Sequence, residues 1–240
     1  MAIRSNLKSE AYFEKRIKET QEFLIEDHQS LNAGEISSDR QISYKRMMAT
    51  QHIQLAIAKF SAGLHVNTMK QDISAAVNLI GLDWPYPTEA GTAAFYFDSI
   101  PELYWILSVA ILQDFEMAEF TKIVRIIDGA RSKDWLLEYL ISSRIQGRSQ
   151  VDTLIFPKPY ASLKKAVEET DPAKCSAIVK HYLEKEWYPG HKGVYWHDNH
   201  KSKHDTFFGY WSFEAAAVVK IAGIDDTSFR DNEYYPKDLV

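Results

Sequence analysis

Along almost the whole chain, apolar side chains recur at three- and four-residue steps. That spacing gathers them on one face of an α-helix, and no stretch of alternating polarity is long enough to build the core of a sheet. Residues 8–31 bring Phe13, Ile17, Phe23, Leu24 and Leu31 close to one stripe, and Ile42, Met47, Met48, Ile53, Ile57 and Phe60 form a second that runs to about Leu64. Ser38 with Gln41, and Thr68 with Gln71, have capping-box spacing, so helices are expected to open there, the second closing at Gly81. Pro85 and Pro87 interrupt the pattern with a turn. Pro101 reopens a helix to about Gln113, residues 116–128 form another stopped by Gly129, and Ser132 caps a helix over 135–146 that ends at Gly147. Pro157 and Pro159 break the chain before a short helix at 160–169. Asp171 and Pro172 pair a cap with a first-turn proline, opening a helix to about Trp187. The expected fold is all-α, about nine helices packed as two helical subdomains, 1–130 and 131–240, with the boundary where Gly129 separates two helical blocks. No solenoid-like repeat period is present.

At 240 residues the chain can bury a sizeable core. A single cysteine excludes an internal disulfide framework and a multi-thiolate zinc site. Cys175, on the inner face of its helix, reads as a small core residue rather than a nucleophile. The first residues are polar, and the longest apolar run, 103–112, is about half of the ~20 residues a spanning helix needs. These features lead to the expectation of a cytoplasmic protein with no membrane partner. The net charge of −5 is uneven: residues 1–130 hold 12 basic and 17 acidic side chains, and residues 131–240 hold 16 of each. Between Lys70 and Lys122 there is no basic residue, while Asp72, Asp83, Glu89, Asp98, Glu102, Asp114, Glu116 and Glu119 all fall there. Such a surface repels nucleic acid and attracts a basic partner, although Glu102, Asp114 and Glu116 also sit where helix starts favour acids. No basic stripe interleaves with aromatics, which disfavours nucleic-acid binding.

Residues 193–214 read GVYWHDNHKSKHDTFFGYWSFE and pose the sharpest question of chemistry. On a helix beginning near Asp205, Phe207, Trp211, Val218 and Ile221 share a face with Glu214, so Glu214 becomes a carboxylate in an apolar setting. Left unpaired it would cost several kcal/mol or take up a proton. The preceding loop offers His197, His200, Lys201, Lys203 and His204, and the economical expectation is that His200 and Lys201 neutralise it as a structural buried charge. A rival reading makes His197, His200 and His204, with Asp198 or Asp205, a metal centre, and His197, His200 and Glu214 the heart of a metal-dependent hydrolase; the spacing matches no helical zinc motif. There is no HExxH, Walker loop, GxSxG or GxGxxG, and the SxxK spacing at Ser162 and Lys165 lacks its partner motifs.

The pattern YWHDNHKS at 195–202, followed by FGYWSFEAAAVVKIAGIDDTSFRDNEYYPKDLV to residue 240, resembles the C-terminal domain of the PoNi immunity proteins. RQISYKRMM at 40–48 and YFDSIPELYWILSVAILQ at 96–113 are similar to the helical domain that precedes it. That family neutralises PoNe polymorphic DNase toxins of bacterial competition, often delivered by type VI secretion. The resemblance implies a binding protein rather than an enzyme, with a cognate DNase toxin as partner and with no catalytic residue, metal or cofactor. The acidic interval then becomes the first candidate face, with Asp83, Glu89, Asp98 and Glu102 as charges and Trp84, Tyr86, Phe95 and Tyr96 as aromatic anchors. Asp225 and Asp226, with Asp231 and Glu233, form a second. A helical scaffold for some other protein shares these features, and a homodimer through a surface stripe is compatible with the aromatic content.

Overall fold

A computed structural model describes residues 3–80, 100–129 and 133–240. Among these residues the regular secondary structure is all helical, without strands. The helices are α1 (Glu10–Asn32), α2 (Gln41–Ser61), α3 (Asn67–Ile80), α4 (Ile100–Leu112), α5 (Met117–Gly129), α6 (Trp135–Ser142), α7 (Pro157–Glu168), α8 (Pro172–His181), α9 (Trp187–Gly190) and α10 (Phe213–Ala222). A π-turn, Tyr182–Glu186, joins α8 to α9 without a break. Taking 172–190 as one helix, nine are present among the described residues. The Pro85–Pro87 turn, the Gly81 stop and the Ser132 cap lie outside the described residues.

The chain forms two compact units, and neither is a continuous run of sequence. Unit 1 takes the described parts of Met1–Ala94, Glu116–Ala130 and Asp198–Gly209; unit 2 takes those of Phe95–Phe115, Arg131–His197 and Tyr210–Val240. Packing therefore crosses the 130/131 division twice, once at α4 and once at the segment after His197.

In unit 1, Ser9 caps α1 by accepting from the Tyr12 N–H at 3.2 Å. Phe13 and Leu24 point inward from α1, and Leu24 joins Met48 and Leu55 of α2 in a cluster flanked by Ile17, Leu31, Tyr44 and Leu79. Phe23, assigned to the inner stripe from sequence, is 57% exposed, and Ile42 and Met47 are exposed too. Adjacent residues stand about 100° apart on a helix, so Phe23 and Leu24, or Met47 and Met48, do not share a face. The Ser38 capping box is also absent. The helix opens at Gln41 with no side-chain cap, and the N–H groups of Arg40 and Gln41 donate to Ser37 O at 2.9 and 3.1 Å. Likewise α3 opens at Asn67, one residue before Thr68, whose hydroxyl donates to His65 O. The segment Asp198–Gly209 is fastened to α1 and α2. The Tyr12 hydroxyl donates to Phe207 O and accepts from Phe207 N–H, both at 2.9 Å, and Ser61 Oγ donates to Phe208 O at 2.7 Å.

In unit 2, every residue of α4 is buried, so this helix has no solvent face. It packs against α10 and α6. Asp134 caps α6 through the N–H groups of Leu136 and Leu137. Pro157, read from sequence as a break, stands at the first position of α7, where its missing N–H costs nothing. Asp171 caps α8 with Pro172 at its first position, as expected. The helix expected to begin near Asp205 instead begins at Phe213; Phe207, Phe208, Tyr210 and Trp211 are buried on irregular chain. Gly209, at φ 127°, holds a conformation that no helix contains.

Candidate functional site

Of the first candidate face, Asp83, Trp84, Tyr86, Glu89, Phe95, Tyr96 and Asp98 lie outside the described residues. Glu102 is described, and it is 5% exposed. It accepts the Tyr195 hydroxyl at 2.9 Å, so its carboxylate serves unit 2 internally rather than a surface. Asp72, at the head of the same acidic interval, is also buried, against Lys59 at 2.7 Å. The outward-facing acids of the described interval are Asp114 and Glu116. In the second candidate face, Asp225 is exposed and accepts from both Thr227 N–H and Thr227 Oγ1, which holds its carboxyl below the usual range. Asp226 is partly buried and committed inward, accepting from Arg230 and, at 3.2 Å, from the Tyr235 hydroxyl.

Glu214 is buried at 1% exposure, as its apolar surroundings in the sequence imply. Its partners are not the basic loop. Oε1 accepts from Trp187 Nε1 at 2.6 Å, Ser212 Oγ at 2.8 Å and Tyr182 OH at 3.2 Å, while Oε2 is buried without a hydrogen bond. Burial drives its pKa up, and these three neutral donors only partly oppose the rise. The π-turn makes this convergence possible. Tyr182 and Trp187 are five residues apart and would diverge by about 140° on a regular α-helix, but the wider turn, closed by Trp187 N–H donating to Tyr182 O, brings them to one side. His200 and Lys201 belong to the segment packed in unit 1, where Lys201 is exposed and pairs with Asp198 at 2.9 Å.

Beside Glu214 lies a second buried polar chain that sequence reading missed. His191 Nδ1–H donates to Trp187 O at 2.6 Å, so its Nε2 accepts the Tyr160 hydroxyl at 2.9 Å. Burial lowers the His191 pKa to about 4, keeping the ring neutral. Tyr160 meets Tyr104 edge to face at 4.6 Å, and the Tyr104 hydroxyl donates to Asp134 at 2.8 Å. These residues are tens of positions apart, so no local spacing reveals them. Each ring is paired and enclosed, which suits a rigid core and leaves no open nucleophile.

The histidines named for a metal divide between packing units: His197 stacks on Tyr188 in unit 2, whereas His200 and His204 belong to unit 1. Among the described residues, no group of three or more His, Cys, Asp or Glu side chains gathers as a metal site. Cys175 is buried, its thiol directed at Glu169 O. A groove of about 180 Å³ in unit 2 is lined by Trp135, Tyr139, Ser142, Arg148 and Val151, with Trp135 and Tyr139 stacked 5.1 Å apart. Two carboxylates line it, Glu138 and Asp152; Glu138 is occupied by Arg148 and Lys133, and although burial raises its pKa, the two cations hold it below the usual range.

A family model described as PoNe immunity protein (PoNi), N-terminal, matches residues 4–125, and one described as PoNe immunity proteins (PoNi), C-terminal, matches residues 132–239. Among solved structures, the crystal structure of protein PA2201 from Pseudomonas aeruginosa is similar in fold. Its TM-score is 0.72 at 19% identity, and the match covers 99% of this chain and 89% of that one. No curated protein matches the chain.

Proposed function

Because the chain belongs to the PoNe immunity protein (PoNi) family, we propose that it binds a cognate PoNe-type DNase toxin and silences it by occluding its DNA-binding or active site. The observation that carries this reading is the match to both halves of the family, over 4–125 and 132–239. The described polar centres agree with it, since Glu214, His191 and Glu138 are each engaged by protein partners and serve packing. Inhibition is stoichiometric and needs no turnover, metal or cofactor.

A DNase carries a basic groove for phosphate, and an inhibitor of this kind buries ~1,600 Å² in all. Asp83, Glu89 and Asp98 supply the charge for that encounter, Trp84 and Tyr86 the anchors, and Asp225 an additional exposed acid. Glu102 and Asp226 drop from this surface, because their carboxylates are engaged within the chain. The protein meets its toxin in the cytoplasm of a cell exposed to type VI delivery. No described helix is long and apolar enough to cross a membrane.

Co-expression tests the proposal. Cells making the cognate toxin are expected to survive when this chain is present, and purified toxin is expected to lose DNA cleavage at a one-to-one ratio. Death unchanged by the chain, with toxin expression verified, would overturn it.

A further inference from the structure

In unit 1, two imidazoles converge from neighbouring helices. His28 Nε2 of α1 and His52 Nε2 of α2 are 3.3 Å apart, with ring centroids 5.6 Å apart and planes crossing at 54°. Two imidazole nitrogens bound to one tetrahedral zinc at 2.0–2.1 Å stand about 3.3 Å from each other. The two nitrogens are thus already at the edge length of such a coordination sphere. The rest of the second ring also fits. His52 Nδ1 is buried and makes no hydrogen bond at normal distance, yet it faces Asp72 Oδ1 at 3.7 Å. Asp72 is held in turn by Lys59 at 2.7 Å. A metal-ligating histidine characteristically directs its other ring N–H at a carboxylate, which fixes the tautomer. His28 is half-buried, so one side of the pair is open to water.

We propose that His28 and His52 form a two-histidine site for a divalent transition metal that favours imidazole, such as zinc, nickel or copper, with Asp72 orienting His52 and water completing the coordination. Bound there, the ion would tie α1 to α2. The site shares no residue with the proposed toxin-binding face or with the loop containing His197, His200 and His204. The competing arrangement is a single N–H···N hydrogen bond between neutral rings, which uses one lone pair and needs no ion.

The test is titration of the chelator-treated full chain with zinc, nickel and copper chlorides, followed by calorimetry and thermal melting. One ion per chain is expected, with the melting temperature rising by about 5–10 °C at a hundredfold excess over Kd. The rise should vanish in His28→Gln and persist in a chain carrying His197→Gln, His200→Gln and His204→Gln together. Substoichiometric nickel or copper should broaden the NMR ring signals of His28 and His52 in the wild-type chain before any other histidine, a readout that does not depend on the variants folding. No rise at millimolar metal, a rise retained in His28→Gln, a rise lost in the loop variant, or first broadening at other rings would each overturn the proposal.

Discussion

Glu214 and His191 are tied to the same tryptophan and respond to pH in opposite senses. Burial raises the Glu214 pKa above its ordinary 4.5, so the folded chain holds a proton that the unfolded chain releases. Stability is therefore greatest below that value and declines as pH climbs towards the raised one. Burial lowers the His191 pKa from 6.5 to about 4, so the unfolded chain takes up a proton first as pH falls. Stability from this group is complete above 6.5 and is lost between 6.5 and about 4, a change of roughly 3 kcal/mol. Glu214→Gln keeps the acceptor for Trp187, Ser212 and Tyr182 and removes the titration. Urea unfolding should find it little changed near pH 4.5 and more stable than wild type at pH 8; equal stability at both would contradict the raised pKa. Glu214→Ala strands buried donors and should cost about 2–4 kcal/mol at either pH. His191→Gln should flatten the loss of stability between pH 6.5 and 4. The burial of Glu214 could be read from its apolar neighbours, but its donors could not: Trp187 and Tyr182 reach it only through a π-turn that has no signature in the sequence.

At the scale of elements, one side chain ties α6 to its neighbours. Asp134 accepts from Leu136 and Leu137 at the helix start, from Ile155 N–H in the irregular chain before α7, and from Tyr104 of α4. Asp134→Ala removes a cap and leaves buried donors unmatched, so a loss of about 3 kcal/mol is expected; Asp134→Asn, which retains an acceptor oxygen, should lose less. Chemical denaturation of the two variants checks the order. Helix starts were legible where a single local signal stood alone, as with Asp171 and Pro172 before α8. They were not legible where a buried run mimicked a helix. Phe207, Phe208, Tyr210 and Trp211 are enclosed on all sides, so periodicity carried no information there, and Gly209 was the only hint that the chain was not helical.

For the whole molecule, the uneven charge makes its prediction in kinetics rather than in stability. With the deficit of basic residues confined to 1–130, toxin association should slow about tenfold between low and physiological-to-high salt, while melting temperature changes little. Reversing Asp83, Glu89 and Asp98 together should slow capture by a similar factor, as stopped-flow binding would show; an unchanged on-rate would place the contact elsewhere. The all-α class followed directly from apolar spacing. The makeup of the units did not, because it rests on pairings such as Ser61 with Phe208 and Tyr12 with Phe207, which join positions remote in sequence.

Those pairings bear on how the protein is made. Unit 1 is completed by Asp198–Gly209, so a ribosome that has released α1, α2, α3 and α5 has released a nascent intermediate still missing its last piece. Completion of unit 1 during synthesis waits for residue 209 to leave the exit tunnel, and a gene cut at residue 130 would yield two fragments, neither of which carries a whole unit.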